Sequence, residues 1–432
     1  MSSVNDRIFA ILLLLEVSVA VLFFAGATNT ATLILEAGAT GLAFAYGALA
    51  LFNNVPFRSS TNPATILLTA FVLCNLIRLF LHATSQTFGT YAECILATSY
   101  LCVFVLSVEL IPKQERLIAM ALAVFGSLFA LFSLLQLVFG NGNIYGLYAA
   151  PYAPELIFGS YFNRDHYAAA IEMLLPFAAV KALDQKLPSH VRAWCAIGAC
   201  LSVASVVACH SRAGFLCISL ELFILVATAS LRRKTKWLTT LSIAGLLLCF
   251  LAVDAWHSQE SLSQRVLQVD TRTDLQQGRL IMYRDGLRMI SDRPLWGFGL
   301  GTFRSVYPHY KSLPSPLRVE YLHNDWLQLF VENGLLGSLP FLCFLGVIAC
   351  RALRREYSSS SFNSAARIGL IAIAFHCLVD FNLHVPANAL LFFMLSGGIV
   401  AHPEGSTATS TSNQVFSVRG ARRSVLDKGW ET

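Results

Sequence analysis

Stretches of about 20 predominantly apolar residues recur along almost the whole chain, and this repetition constrains the fold more than any other feature. A helix needs about 20 apolar residues to cross the hydrocarbon core of a bilayer. Only 13% of the residues are charged, about half the share of a soluble domain. The sequence therefore predicts an all-α polytopic membrane protein with about twelve transmembrane helices. The candidate spans are residues 8–27, 31–52, 64–81, 91–110, 117–139, 166–183, 193–209, 214–231, 237–255, 325–350, 364–381 and 387–402.

The basic residues of the short loops predict the orientation of these spans. Cytoplasmic loops of membrane proteins carry an excess of Lys and Arg. With the N-terminus in the cytoplasm, the inside loops contain basic residues such as Lys113 and Arg116. The outside connections around 28–30, 82–90 and 382–386 contain none. We therefore expect a multi-pass membrane protein with a cytoplasmic N-terminus, whose outer face in a bacterium would be the periplasmic side of the inner membrane.

One long polar loop, at about 256–324, interrupts the apolar pattern and is predicted to lie on the periplasmic face. Between Arg279 and Arg318 seven residues are basic and two are acidic, so this surface is suited to an anion. Within it, residues 278–292 are predicted to form an amphipathic helix that lies along the membrane surface. Its expected membrane-facing stripe is Leu280, Tyr283, Leu287 and Ile290.

The remaining divisions of the chain follow from composition. Residues 1–403 are expected to form the integral membrane domain, and residues 404–432, which are rich in Ser and Thr, a disordered cytoplasmic tail. The GFGLG run at 297–301 lacks the βαβ context of a nucleotide-binding loop and is interpreted as a flexible turn. The eleven cysteines occur singly, without a CxxC pair, and the histidines are scattered. No metal and no cofactor are therefore expected.

Arg212 and Arg279 are the strongest candidates for binding an anion. Arg212 lies in HSRAG, where the chain turns back into the membrane, and Arg279 opens the predicted amphipathic helix. Planar guanidinium groups bind phosphate oxygens in pairs, and a helix N-terminus adds to the attraction. The alternative for both residues is interaction with lipid headgroups. Arg284 and Arg288 fit that alternative better, as a basic helix face on anionic lipid.

His323 is the candidate proton acceptor because it lies at the membrane boundary, where imidazole titrates near neutral pH. Alternatively it is a structural residue at a helix start, where Asn324 or Asp325 is expected to be the N-cap. Two further clusters, Asn163–His166 with Arg164 and Asp380–His384, fall on the same predicted outer side. This coincidence favours a site at the outer membrane surface.

Several motifs in this order resemble the O-antigen ligase/polymerase family. They are SRAG at a span end, GR at the start of the loop helix, the D-x-P-L-W-G-x-G-x-G-x-F segment, HNDWLQLFVENGLLG, and the final DFNLHVPANALLFF. The resemblance implies metal-independent, inverting transfer of a glycan from undecaprenyl diphosphate to an acceptor hydroxyl. It implies that Arg212 and Arg279 hold the diphosphate and that His323 acts on the acceptor. Arg164, Arg284, Arg288, Asn324 and His384 are candidate substrate-binding residues.

The expected partners are the lipid-linked glycan donor, a lipid A–core or glycan acceptor and membrane lipids, with no nucleic acid. A ligase that uses lipid A–core is favoured, with a polymerase that joins lipid-linked glycans as a near-equal alternative. A protein hydroxyl is a third possible acceptor. Outside this enzyme class, the alternatives are a polysaccharide or lipid transporter and a non-catalytic subunit of an envelope-assembly machine.

Overall fold

Helices make up the architecture of the chain. The computed structural model describes residues 3–149, 156–228, 275–312, 318–354 and 360–401. Within these ranges every regular element longer than an isolated β-bridge is a helix, which confirms the all-α class. The eleven helices of 16 or more residues are α1 (Ser3–Leu22), α2 (Asn29–Phe52), α3 (Pro63–Phe80), α4 (Thr87–Phe139), α5 (Arg164–Leu183), α6 (Ser189–Ala208), α7 (Arg212–Thr228), α8 (Leu275–Asp292), α9 (Asp325–Leu353), α10 (Ser361–His376) and α11 (Pro386–Ala401).

Six of these helices, α2, α3, α4, α5, α6 and α9, are long and apolar enough to cross a membrane. Large apolar side chains also point outward, as at Phe44 and Phe52, which are 80% and 86% exposed. Contiguous apolar surface of this kind is covered by lipid in a membrane protein. The multi-pass class is therefore confirmed, while the total of twelve spans stays a prediction. The predicted span 237–255, the tail 404–432 and most of the first part of the loop lie outside the described residues.

Two predicted spans, 91–110 and 117–139, lie on the single helix α4. Its 53 residues would extend about 80 Å if straight, more than twice the thickness of the hydrocarbon core. The backbone departs from helical geometry at Gln114, with φ −130° and ψ 28°, two residues after Pro112. Proline removes a helical hydrogen bond and kinks the chain. The break falls where the sequence predicts a loop between the two spans.

Helices α5 and α11 form the centre of the bundle. Every residue of α11 is buried, as is most of α5. A Cβ atom at Gly397 would lie 2.7 Å from the carbonyl oxygen of Phe104, so α11 packs against the backbone of α4. The polar residues at the start of α5 and before α11 are thus held by the most enclosed helices.

The loop helix α8 confirms the predicted amphipathic helix, but not its predicted start or its predicted orientation. It begins at Leu275, so the prediction that Arg279 opens the helix is wrong. Leu280 and Leu287 are 70% and 56% exposed, as expected for a membrane-facing surface. Tyr283, in contrast, packs with Met282 and Met289 against Leu322 and its neighbours in a small core. The expected stripe is therefore wrong at Tyr283 and Ile290, because methionines with flexible side chains fill this core and draw the adjacent residues toward it.

Helix α9 is broken, and the GFGLG turn fills the break. Gly334 has φ 62° and ψ −171°, a conformation that is essentially restricted to glycine. The N–H groups of Phe298 and Gly299 donate to the carbonyl oxygens of Val331 and Glu332, at 3.1 and 2.7 Å. Beyond the break, the N–H of Leu335 donates to the carbonyl of Pro294 at 2.8 Å. The turn is therefore held by backbone hydrogen bonds on both sides of the break, which its interpretation as a flexible turn did not include.

The glycine conformation predicts that Gly334→Ala destabilises the protein. Strain at this φ/ψ costs about 1–3 kcal/mol, and the new Cβ would also collide with the backbone of Leu295 and Trp296. Thermal unfolding in detergent measures the loss. Gly346→Ala is the matched control, because it lies in the same helix and its Cβ would meet nothing within 4 Å. A Gly334→Ala melting temperature equal to that of this control would contradict the strained break.

Candidate functional site

Two histidines meet one buried aspartate at one end of the bundle. Asp380 Oδ1 lies 3.0 Å from His323 Nδ1 and 3.8 Å from His166 Nε2. Phe381 packs edge-on against both imidazole rings, with ring centroids 4.8 and 4.5 Å apart. Asp380 is 1% exposed, whereas the side chain of His323 is 29% exposed. We call these three residues, His166, His323 and Asp380, the histidine cluster; its one open member is His323.

The start of α9 positions His323. Asn324 is the N-cap and accepts from the N–H of Leu327 at 2.9 Å. The N–H of Asp325 donates to the carbonyl of Cys377 at 3.0 Å, and Trp326 Nε1 donates to the carbonyl of Ala374 at 3.1 Å. These bonds fix the start of α9 against the end of α10. His323 itself has φ +54°, an uncommon conformation that costs of order 1 kcal/mol and is concentrated at functional sites.

The charge of Asp380 depends on its two histidines. Burial alone would raise the pKa of this carboxyl, but the hydrogen bond with His323 and the nearby imidazole of His166 hold the pKa well below its usual range. An ionised carboxylate can only accept hydrogen bonds. His323 Nδ1 must therefore carry the proton in the bond to Asp380, and in a neutral ring Nε2 then carries the lone pair.

The lowered pKa of Asp380 predicts how the stability of an Asp380→Asn variant, relative to the wild type, depends on pH. A carboxyl whose pKa is lowered on folding stabilises the protein above its unfolded value of 3.8 and loses this effect only as the pH falls through the folded value. The melting temperature of the variant should stay below that of the wild type at pH 4, and the gap should close on further acidification. Asp292→Asn, an exposed control, should show a much smaller gap. A gap that has already closed at pH 5 would contradict the lowered pKa.

His384 lies beside the cluster but is enclosed by its own partners. Its Nδ1 lies 2.6 Å from Asp325 Oδ1, and its Nε2 lies 3.0 Å from Gln328 Nε2. Gln328 Oε1 accepts from the N–H of Leu322 at 2.9 Å, so its amide N–H groups point toward His384 and Glu332. Nε2 of His384 therefore accepts, and both ring nitrogens support the start of α9.

Buried Glu332 connects this support to the turn in the α9 break. Its Oε2 accepts from the N–H of Gly301 at 2.9 Å, and its Oε1 accepts from the N–H of Phe303 at 3.2 Å. The path from Asp325 through His384 and Gln328 to Glu332 thus joins the polar loop to the helix that carries His323 at its start.

Tyr283 links the loop helix to His323. Its hydroxyl donates to the carbonyl of His323 at 2.7 Å. Burial raises the pKa of Tyr283, the positive charge of Arg279 opposes this rise, and the charge of Asp380 adds to it. The charges of Arg279, one helical turn before Tyr283, and of Asp380 therefore both act on the Tyr283 hydroxyl.

The turn that carries Arg212 is fixed to the start of α5. Ser211 Oγ donates to Asp165 Oδ1 at 2.6 Å and accepts from the N–H of Gly214 at 3.1 Å. Cys209 Sγ lies 3.8 Å from the carbonyl oxygen of Arg164. Arg212 is exposed and Arg164 is half-buried at this end. Because His166 follows Asp165 directly, the turn is connected to the histidine cluster through the first residues of α5.

Arg284 and Arg288 lie farther along α8. Arg288 Nη1 is 3.3 Å from Asp285 Oδ1, and Arg284 is exposed. Asp285 is fully buried and also accepts from the hydroxyl of Tyr307 at 3.2 Å and from the N–H and hydroxyl of Ser312 at 3.0 and 2.5 Å. Asp285 thus anchors the following loop to α8.

The structure therefore brings together the segments that the sequence placed on one side. Residues 163–166, 210–214, 323–325 and 380–384 meet at one end of the bundle, and Tyr283, one helical turn after Arg279, hydrogen-bonds to His323 there. Sequence reasoning did not assign a role to Asp380, Tyr283 or Ser211. Asp380 was visible only as part of a polar segment, and Tyr283 was counted as part of an apolar stripe.

Cavity volume alone does not locate this site. A cavity of about 870 Å³ lies toward the other end of α5 and is lined by Lys181 and Arg367 among others. A smaller cavity of about 110 Å³ adjoins the support of α9, with Glu93, Glu332 and His384 at its polar side and apolar walls elsewhere. The histidine cluster is distinguished by its charge and geometry rather than by enclosed space.

Residues 197–342 match the model of a protein family described as O-Antigen ligase. The segment contains Arg212, Arg279 and His323, whereas His166 and Asp380 lie outside it. No curated protein matched the chain. The family resemblance inferred from the motifs is confirmed over the matched segment.

Proposed function

Since residues 197–342 carry the sequence pattern of O-antigen ligases, we propose that the protein transfers a glycan from undecaprenyl diphosphate to an acceptor hydroxyl. The observation that carries the proposal is the hydrogen bond between partly exposed His323 and buried Asp380, next to helix α8, which contains Arg279. This end of the bundle faces the periplasm in the proposal. The preferred acceptor is lipid A–core, and the membrane is the inner membrane of a bacterium.

The proposed role of the arginines is to stabilise the charge on the leaving group. When the bond between the anomeric carbon and the diphosphate breaks, the electron pair leaves with undecaprenyl diphosphate and negative charge develops on its oxygens. Guanidinium groups placed for that charge stabilise the transition state. Arg279, next to Tyr283, and exposed Arg212, at the start of α7, are the proposed ligands of the diphosphate. Arg164 adds positive charge nearby, whereas Arg284 and Arg288 lie farther along α8 and are assigned to the lipid surface in this proposal. No metal is required for this step.

The proposed role of His323 is to accept the proton of the acceptor hydroxyl. Asp380 holds the proton on Nδ1, so that Nε2 can accept the proton of the acceptor hydroxyl as its oxygen attacks the anomeric carbon from the side opposite the diphosphate. This displacement inverts the configuration at that carbon. Asp380 then stabilises the imidazolium that forms, as the carboxylate does in other His–Asp pairs. In this scheme Asp380 and His166 position His323, and Asn324 acts through its cap of α9.

One observation favours a second candidate function. A broken membrane helix with buried charged residues, here α9 with Glu332 and nearby Arg78, is typical of transporters. In this chain, however, the turn at 294–299 occupies the break and hydrogen-bonds its backbone groups. Transport therefore stays a second proposal, which the same assay tests.

The proposal is tested with the purified protein in nanodiscs that contain an undecaprenyl-diphosphate-linked glycan. Release of undecaprenyl diphosphate is measured with lipid A–core, with a second lipid-linked glycan, and without acceptor. Release that requires lipid A–core supports a ligase, and a ladder of products from lipid-linked glycan alone supports a polymerase. Donor binding without release under any condition would contradict glycosyl transfer and favour the transporter.

A further inference from the structure

A second polar cluster lies inside the bundle, among helices α5, α7 and α10. It consists of Glu172, Cys217 and His376, which are 0%, 6% and 1% exposed. His376 Nδ1 lies 2.8 and 3.1 Å from the two carboxylate oxygens of Glu172. One donor atom from each of the three residues lies within 4.8 Å of the others. The residues are far apart in sequence, so the fold alone assembles this set.

Polar atoms around the cluster lack partners among the described residues. Glu221 follows Cys217 by one turn of α7 and is 2% exposed, yet neither of its carboxylate oxygens has a hydrogen-bond partner there. His376 Nε2 is also buried and unpartnered in that part of the chain. Burying such groups without partners costs several kcal/mol in general. A bound cation would offset this cost for the Glu221 carboxylate and for His376 Nε2, which the Glu172–His376 pair leaves unpartnered among the described residues.

We propose that Glu172, Cys217 and His376 bind one divalent transition-metal ion beside the buried carboxylate of Glu221. Thiolate, imidazole and carboxylate together are the ligands that Zn²⁺ takes, usually four in a tetrahedron. An ionised Cys217 and an ionised Glu172 neutralise the ion, and His376 binds as the neutral ring. Binding releases the thiol proton to solvent and changes no oxidation state.

The position of the cluster indicates what the ion would do. Helices α5 and α7 carry His166 and Arg212 near their N-terminal ends. Helix α10 leads into Asp380, whose N–H donates to the carbonyl of His376 at 3.1 Å. An ion shared by the three helices would fix these ends relative to one another. This role is structural. It is separate from the proposed glycosyl transfer, which either result for the ion leaves untouched.

Cobalt binding tests the site without any activity readout. The full-length protein in detergent is treated with a chelator, dialysed, and titrated with Co²⁺ alone. One equivalent should bind, with the visible bands of four-coordinate Co²⁺ and a thiolate-to-cobalt charge-transfer band in the near ultraviolet. Cys217→Ala should lose the charge-transfer band, and His376→Ala should weaken binding at least tenfold. Cys195→Ala, which removes another buried thiol, should behave as the wild type.

The titration of the wild-type protein tests the site even if a variant fails to fold. Zn²⁺ should displace the bound Co²⁺ and raise the melting temperature of the chelator-treated wild-type protein. Absence of Co²⁺ binding by the folded wild-type protein would overturn the proposal. A charge-transfer band that persists in Cys217→Ala, or that disappears in Cys195→Ala, would equally overturn it.

Discussion

Replacing His323 by alanine is expected to lower the rate of glycan transfer by about 10²–10⁴-fold, the usual contribution of a general base. The loss should appear in kcat with the donor KM little changed, because the histidine acts on the acceptor proton. Release of undecaprenyl diphosphate in nanodiscs measures it. His309→Ala removes an exposed histidine from the same loop and should keep wild-type activity. Full activity of His323→Ala would remove this residue from the mechanism.

The variant Asp380→Asn separates positioning from a general structural effect. An amide can present either a donor or an acceptor to His323 Nδ1, so the ring is no longer held as the Nδ1–H tautomer. We expect kcat to fall by an amount approaching that of His323→Ala, with an altered pH–rate profile and retained donor binding. A variant that loses activity and donor binding together, with an unchanged pH profile, would indicate that Asp380 only supports the fold.

Replacing Arg279 by alanine is expected to lower transfer by about 10²–10³-fold, the typical loss on removing one group that stabilises transition-state charge. Arg284→Ala on the same helix is the matched control, since it removes the same charge from a more distant, exposed position. If the helix only rests on anionic lipid, both variants should lose activity equally. Arg212→Ala should resemble Arg279→Ala, and wild-type activity in either variant would exclude that residue from the diphosphate site.

Local patterns in the sequence predicted the parts of this protein that depend on neighbouring residues. Apolar runs gave the helices, and the basic residues Lys113 and Arg116 between two such runs marked the division of α4. The amphipathic period gave α8, and Asn324 was correctly expected among the caps of α9. The orientation of α8 was missed at Tyr283, because its partner, the carbonyl of His323, lies 40 residues away. Sequence spacing carries no information about such a contact.

The same limit applies to the site. The sequence placed His323, Arg212, Arg164 and His384 on one side of the membrane, and the structure brings their segments together. The pairing of His323 with Asp380 across 57 residues could not be predicted without knowing that the start of α9 contacts the end of α10. The Glu172, Cys217 and His376 cluster was missed for this reason too: each residue alone is a polar or small side chain within an apolar helix.

The proposal that the arginines bind the diphosphate while His323 acts on the acceptor is tested most directly by equilibrium binding of undecaprenyl diphosphate to the purified protein. Wild type, His323→Ala and Arg284→Ala should bind it with similar affinity, whereas Arg279→Ala should bind at least roughly tenfold more weakly, a loss of about 1.4 kcal/mol. That result would place the diphosphate at Arg279 and the acceptor at His323. Equal affinity in all four proteins, or loss of binding in His323→Ala alone, would contradict the proposed site.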